Sequence, residues 1–163
     1  MKEQEPYNGF EQGPIRPPSE AGSLLIRVTR NCPWNRCSFC GLYKGEKFSL
    51  RPVEHVLKDI DTVREQLELL LQIIHNSGQL RQSDIHPLAQ GKSHSERMAL
   101  YAALHWLRAG CTSVFLQDSN SLIIKPDRLV TILEYLRNSF PGIERITSYA
   151  RSHTCLLYTS PSP

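Results

Sequence analysis

The sequence predicts an α/β protein in which parallel strands are joined by crossover helices. Short runs of branched apolar residues alternate along the chain with longer segments whose apolar residues recur at helical spacing. A helix-like segment separates each strand-like run from the next, which is the order found in βαβ units. Contents of 40% apolar and 21% charged residues are typical of a globular domain with a core.

The first half of the chain contains one predicted strand and one predicted helix. Glycine and proline recur through residues 1–22, which we expect to form an extended lead-in. The run of residues 24–29 is short and rich in branched side chains, so it predicts a buried strand. Apolar residues then repeat at helical spacing over 53–74 and predict a helix. The polar range 76–92 is interpreted as a loop or insertion.

The second half contains two more strands and two more helices. A helix is predicted over 95–109, with a glycine directly after it as the stop. The branched run 112–117 predicts the second strand. Pro126 suits the first turn of another helix, which a Phe-Pro-Gly sequence ends at 140–142. Residues 144–149 complete the pattern as the third strand.

Composition excludes several classes of partner. The 19 basic and 16 acidic residues leave a net charge of +3, too small to indicate binding to nucleic acid or to an acidic membrane. No apolar run is long enough to span a bilayer. The polar N-terminus lacks the apolar core of a secretion signal, so we expect a cytoplasmic location and no membrane partner.

Three of the five cysteines, Cys32, Cys37 and Cys40, fall within nine residues directly after the first predicted strand. In a reducing compartment such crowding favours metal or redox chemistry over a disulfide framework. Three thiolates can hold three irons of a cubane cluster and leave the fourth iron open. Loops at the carboxyl ends of parallel strands are also where such folds place their chemistry.

The stretch LLIRVTRNCPWNRCSFC resembles the cluster-binding region of the radical S-adenosylmethionine superfamily. The usual signature of that superfamily is C-x3-C-x2-C, with an aromatic residue just before the last cysteine. Phe39 fills the aromatic position, whereas four residues rather than three separate Cys32 from Cys37. Together with VFLQDSNSLI and ITSYAR, the likeness covers about residues 14–152. It points to a branch related to oxygen-independent coproporphyrinogen oxidases and elongator-type enzymes.

The resemblance implies a fold, two cofactors and an activity. The fold would be the truncated N-terminal part of a parallel (β/α) partial TIM barrel. A 4Fe–4S cluster on Cys32, Cys37 and Cys40 would receive one electron from a donor such as flavodoxin or ferredoxin. Reductive cleavage of S-adenosyl-L-methionine would then yield a 5′-deoxyadenosyl radical, which abstracts hydrogen from a substrate that the sequence does not identify. No catalytic acid or base is identified.

The resemblance also implies cofactor-binding residues. Phe39 would pack beside the adenine. The Gly-Gly-Glu type loop that follows the second strand in this superfamily is replaced here by Asp118, Ser119 and Asn120. Their side-chain oxygens can accept hydrogen bonds from the ammonium group of the cofactor. They are equally favoured in an ordinary turn at a strand end. Arg151 can form two parallel hydrogen bonds with the methionine carboxylate of the cofactor. The alternative is that Arg151 is simply a solvent-exposed residue at the end of a strand.

A non-catalytic module is the competing interpretation of the cysteines. Three thiolates and a histidine such as His55 could bind structural zinc. A cluster could also serve electron transfer alone, but such proteins generally supply four cysteine ligands to each cluster. Cys111 lies between a glycine and a predicted strand, where a buried, packed side chain is expected.

Three strands are fewer than a barrel of eight strands and about 250 residues contains. Residues 155–163 continue no pattern and look like the translated end of a sequencing adapter, so we assign them no role. The predicted organisation is therefore a lead-in at 1–22, the N-terminal portion of a radical S-adenosylmethionine core domain at 23–154, and a foreign tail at 155–163.

Overall fold

A three-stranded parallel sheet with helices packed on one face is the framework of the protein. The computed structural model describes residues 5–151, and the predicted foreign tail lies outside them. The elements in chain order are β1 (Leu24–Arg27), β2 (Thr29–Arg30), β3 (Ser49–Leu50), α1 (Val53–Ser77), α2 (Gln82–Ala89), α3 (His94–Arg108), β4 (Ser113–Gln117), α4 (Pro126–Ser139) and β5 (Arg145–Ser148). Strand order in the sheet is β1-β4-β5, and both pairings are parallel. The predicted α/β class with parallel strands and crossover helices is confirmed.

The core lies between the sheet and the helices. Alternate strand residues point to opposite faces of a sheet, so one set of β1 and β4 side chains meets the helical layer. Those strand residues and the fully buried helical side chains they join are Leu24, Ile26, Val114, Leu116, Ile60, Leu70, Leu100, Trp106, Ile132 and Leu136. No helix within residues 5–151 combines the length and the apolar character needed to cross a bilayer.

Helix α1 forms where the sequence predicts it. Its buried apolar residues recur three or four positions apart and face the core. The helix follows Pro52 and ends at Gly78, which has a φ of 76° and donates its N–H to Ile74 O. A left-handed residue at this position is a common helix stop because it satisfies a terminal carbonyl, and glycine adopts it without strain.

The first predicted strand is shorter in the structure than the sequence indicates. β1 ends at Arg27, and the chain leaves the sheet after Val28 donates its N–H to Gln117 O at 2.9 Å. Thr29 and Arg30 instead pair antiparallel with β3. This pairing closes the base of the intervening segment, residues 31–48, which we call the cysteine loop. A run of branched residues shows strand character but not the pairing partner, and that is why the boundary was wrong.

The prediction of a loop over 76–92 is wrong in its middle part, where the chain forms α2. Asp84 caps the start of this helix by accepting the N–H of Arg81 at 2.8 Å. Ile85 is its single buried residue. A single buried residue gives no repeating pattern of apolar positions from which a helix can be predicted. Pro87 lies inside the helix, and proline normally argues against a helix.

The lead-in is extended over most of its length, with one 3-10 turn at Pro18–Glu20. Phe10 is buried in the core. The Gln117 amide, at the end of β4, accepts the Gly13 N–H at 2.8 Å and donates to Ile15 O at 2.5 Å. These bonds hold the lead-in against the end of the central strand.

Glu20 attaches the end of the lead-in to the sheet. Its carboxylate accepts from Arg145 Nη1 at 2.9 Å and from the Ser23 hydroxyl at 2.5 Å. Burial alone would raise the pKa of Glu20, but hydrogen bonds from Ser23 and Thr147 and the charge of Arg145 together lower it below its usual value.

We expect Glu20→Gln to reduce the stability of the protein at neutral pH by about 0.5–1 kcal/mol, a small value because Arg145 is partly solvated and the pair is screened. A lowered folded-state pKa stabilises the fold above the unfolded pKa of about 4.3, and this stabilisation is lost as the pH falls through the folded pKa. Wild-type unfolding free energy should therefore fall on acidification, and Glu20→Gln should flatten that fall. Urea unfolding across the acidic range measures both, with Glu134→Gln on the exposed face of α4 as the control.

Candidate functional site

The cysteine loop begins at the carboxyl end of β1 and projects from that edge of the sheet. Asn31 and Asn35 have positive φ angles of 65° and 45°, a conformation that asparagine tolerates better than most residues. Asn31 Nδ2 donates to Lys47 O and Asn35 Nδ2 donates to Glu46 O, both at 2.8 Å. The outgoing and returning halves of the loop are thereby joined.

Cys32, Cys37 and Cys40 are free thiols and are partly exposed on this loop. Within residues 5–151, no group of three or more histidine, cysteine, aspartate or glutamate side chains is arranged to hold a metal ion. The donor set nevertheless fits a cluster by its chemistry, because three thiols lie on one short, accessible segment. The sulfurs must move closer together to bind one.

The environment of Cys32 favours its thiolate. Partial burial by itself would raise the pKa of Cys32, but hydrogen bonds from the backbone of Asn35 and the hydroxyl of Ser119, with the charge of Arg151, lower it below its usual value. A thiolate is the form that binds metals and reacts as a nucleophile. Residues from two other strand ends therefore act on the first cysteine of the loop.

The loop after β4 contacts the cysteine loop directly. Ser119 is half-buried, and its single hydroxyl proton can be donated either to Cys32 or to Asn31 O, which lies 3.2 Å from the Ser119 oxygen. Asn120 is buried, and its Oδ1 accepts the backbone N–H of Arg151 at 3.2 Å. The two residues thus join the ends of β1, β4 and β5 at one edge of the sheet.

Arg151 lies against the cysteine loop. Its guanidinium lies 4.4 Å from the centroid of the Trp34 ring, and Arg36 lies 5.6 Å from the same centroid. A cation over an aromatic face is attracted by the ring electrons. The side chain of Arg151 is therefore held beside the cysteines.

Asp118 makes its contacts within the protein. Its side chain is 0% exposed, and Oδ2 accepts from Arg27 at 2.9 Å and from the Asn31 N–H at 3.0 Å. The other oxygen, Oδ1, accepts from the hydroxyl of Tyr43 at 2.9 Å. Burial and the adjacent charge of Asp118 raise the pKa of Tyr43, which keeps that hydroxyl protonated as a donor.

Phe39 points away from the fold and is 90% exposed. Trp34, also on the cysteine loop, is 47% exposed. An aromatic ring with both faces in solvent can stack on a planar ligand. Phe39 therefore remains available for the adenine contact that the resemblance implies.

The other residues considered from the sequence lie outside this edge. His55 is buried on α1, where its ring lies 5.4 Å from that of Tyr7. Cys111 follows α3 and packs against the core, and burial raises the pKa of its thiol. Both have packing environments, and neither forms a metal-binding group with the loop cysteines within the described residues.

Sequence reasoning missed Arg27 and Tyr43, the side chains that bind Asp118. Tyr43 follows Cys40 by three residues and belongs to no motif. Arg27 reads as an ordinary residue at the end of a strand. Neither has a periodic or compositional signal, because the interaction joins residues 75 and 91 positions apart.

Comparison with protein-family models, with curated proteins and with solved structures found no match. The function must therefore be inferred from the chain itself. Five of the residues expected at the site, Cys32, Asp118, Ser119, Asn120 and Arg151, are connected to one another at the carboxyl edge of the sheet. Cys37, Cys40 and Phe39 lie further along the cysteine loop.

We expect Ser119→Ala to raise the pH midpoint for alkylation of Cys32 in the metal-free chain, since a hydrogen bond that favours the thiolate is lost. Arg30 and Arg36 flank Cys32, so tryptic peptides separate it from the other two loop cysteines. Mass spectrometry of that peptide across pH gives the midpoint. Ser83→Ala, in α2, is the control, and an unchanged midpoint in Ser119→Ala would contradict the assigned contact.

Proposed function

We propose that this chain contributes the cluster-binding region of a radical S-adenosylmethionine enzyme, in which Cys32, Cys37 and Cys40 bind a 4Fe–4S cluster. The observation behind the proposal is the meeting of three strand-end loops at one edge of a parallel sheet. Ligands of α/β folds bind outside the carboxyl ends of the strands. We further propose that the sheet is part of a parallel (β/α) barrel, which would extend this edge into a ring of loops.

The thiols and their number support the choice of cluster. Three cysteine ligands leave one iron of a cubane without a protein ligand, and that iron can take a second cofactor. When both are bound, the cluster and S-adenosylmethionine supply a 5′-deoxyadenosyl radical for hydrogen abstraction from a substrate. The protein's own task is to position the thiolates, orient the cofactor and exclude water.

The surrounding residues suit the parts of the cofactor. Arg151 offers a planar guanidinium whose geometry matches that of a carboxylate. When the face of the guanidinium stacks on Trp34, its N–H groups point outward from the edge of the plane and can donate to a ligand. Ser119 supplies a half-buried hydroxyl oxygen as an acceptor for an ammonium group. The exposed ring of Phe39 suits adenine. We assign Asn120 to the same subsite through its contact with Arg151.

The electron must enter from outside the chain. The cysteines are partly exposed, and Trp34 and Phe39 project beside them. A small redox protein such as flavodoxin or ferredoxin can approach a cluster held in that position. We therefore propose a donor of this class as the partner.

Anaerobic reconstitution with iron and sulfide tests the proposal. We expect a brown protein that binds about four irons per chain and releases 5′-deoxyadenosine on reduction with S-adenosylmethionine. Cys37→Ala should lose most of the iron because a cubane held by two thiolates is poorly retained. Cys111→Ala removes a cysteine outside the loop and should keep the iron.

Two results would reject this function. A colourless protein that binds stoichiometric zinc through the same cysteines would identify the non-catalytic module instead. Equal iron contents in Cys37→Ala and Cys111→Ala would show that the loop does not bind the cluster. Iron and zinc are measured by elemental analysis, and the nucleoside is measured by chromatography.

A further inference from the structure

We propose that Asp118 is a positioning residue that bonds the start and the returning half of the cysteine loop, on either side of the three cysteines, and thereby determines where the loop holds its thiols. The inference deepens the proposed function and rests on it for the identity of the bound cluster. It assigns Asp118 a role within the protein in place of the cofactor contact that the sequence suggested.

The two carboxylate oxygens reach the start and the returning half of the cysteine loop. Oδ2 accepts the N–H of Asn31, the residue directly before Cys32, at 3.0 Å. Oδ1 accepts the hydroxyl of Tyr43, three residues after Cys40, at 2.9 Å. All three loop cysteines therefore lie between the two attachment points.

Arg27 makes this arrangement stable. Its guanidinium donates to Asp118 Oδ2 at 2.9 Å through Nε and lies at the same distance through Nη2. Nη2 also donates to Asn31 Oδ1 at 3.3 Å. Hydrogen bonds to an ionised acceptor are stronger than neutral ones, and they strengthen further where water is excluded. Asn31, at the start of the loop, is thus bound by both members of the ion pair, through its N–H to Asp118 and through its side chain to Arg27.

The carboxylate is closed to an added ligand. Its side chain is 0% exposed, and both oxygens already have protein donors. The lead-in lies directly against it, because a Cβ at Gly13 would overlap the Asp118 carboxylate. A cofactor ammonium would have to displace Arg27 or Tyr43 to reach these oxygens. Ser119, which is half-buried, is more accessible at this edge.

Tyr43→Phe tests this role because it removes one hydroxyl and leaves the ion pair in place. Tyr135→Phe is a matched control, since Tyr135 donates to Asp61 Oδ1 at 2.7 Å in the helical layer. In the metal-free chain we expect amide hydrogen exchange over 29–51 to be about tenfold faster in Tyr43→Phe, as loss of a bond to a charged acceptor predicts. Exchange in α1 should stay unchanged and serves as the internal reference for global stability.

The reconstituted protein provides a second readout. We expect a chelator to remove iron from Tyr43→Phe about tenfold faster than from Tyr135→Phe, because without the Tyr43 hydroxyl the returning half of the cysteine loop separates from Asp118 more often. Asp118→Asn should accelerate both processes further, since it also weakens the contact with Arg27. Should Asp118→Asn fail to fold, Tyr43→Phe alone decides the question.

The outcomes separate this inference from the proposed function. Faster exchange over 29–51 in Tyr43→Phe alone supports the positioning role, whether or not the wild-type chain takes up iron. Failure of the wild-type chain to bind iron rejects the proposed function only. Equal exchange over 29–51 in Tyr43→Phe and Tyr135→Phe overturns the positioning role, even if the wild-type chain forms a cluster.

Discussion

The buried ion pair between Asp118 and Arg27 is the constraint on which the arrangement of the carboxyl edge of the sheet depends. A charge without a partner in such a position is strongly unfavourable, so the ends of β1 and β4 must stay together wherever this pair forms. The same carboxylate also binds the start of the cysteine loop at Asn31 and its returning half at Tyr43. The loop is consequently anchored at its base, while Trp34 and Phe39 extend into solvent at its tip.

The helices and the lead-in together hold the sheet that carries the candidate site. Helices α1, α3 and α4 bury the apolar strand residues of one face in the main core. The lead-in is held by Phe10, which is buried in that same core, and by hydrogen bonds to Gln117 and Arg145. At the carboxyl edge of this sheet, the three strand-end loops contact one another. A cysteine loop that is anchored at its base and exposed at its tip suits the proposed binding of a cluster.

How far the sequence predicted the fold depended on the length of each pattern. Helix α1 was predicted because several turns of apolar residues repeat, and the parallel strands because each is a run of branched residues between helices. Helix α2 was missed, since Ile85 is its single buried residue. The pairing of Thr29 and Arg30 with β3 was missed as well, because two residues carry no alternation that identifies a partner strand.

The sequence by itself determined the alternation of the three parallel strands with helices α1, α3 and α4 and the grouping of Cys32, Cys37 and Cys40 on one loop, because periodicity and residue spacing are local properties of the chain. Tertiary structure alone decided that Ser119 and Arg151 act on Cys32 and that Asp118 binds Tyr43 and Arg27. Those contacts join residues about 75 or more positions apart. Only folding of the parallel sheet places such residues at one edge, and no short-range pattern encodes which of them meet.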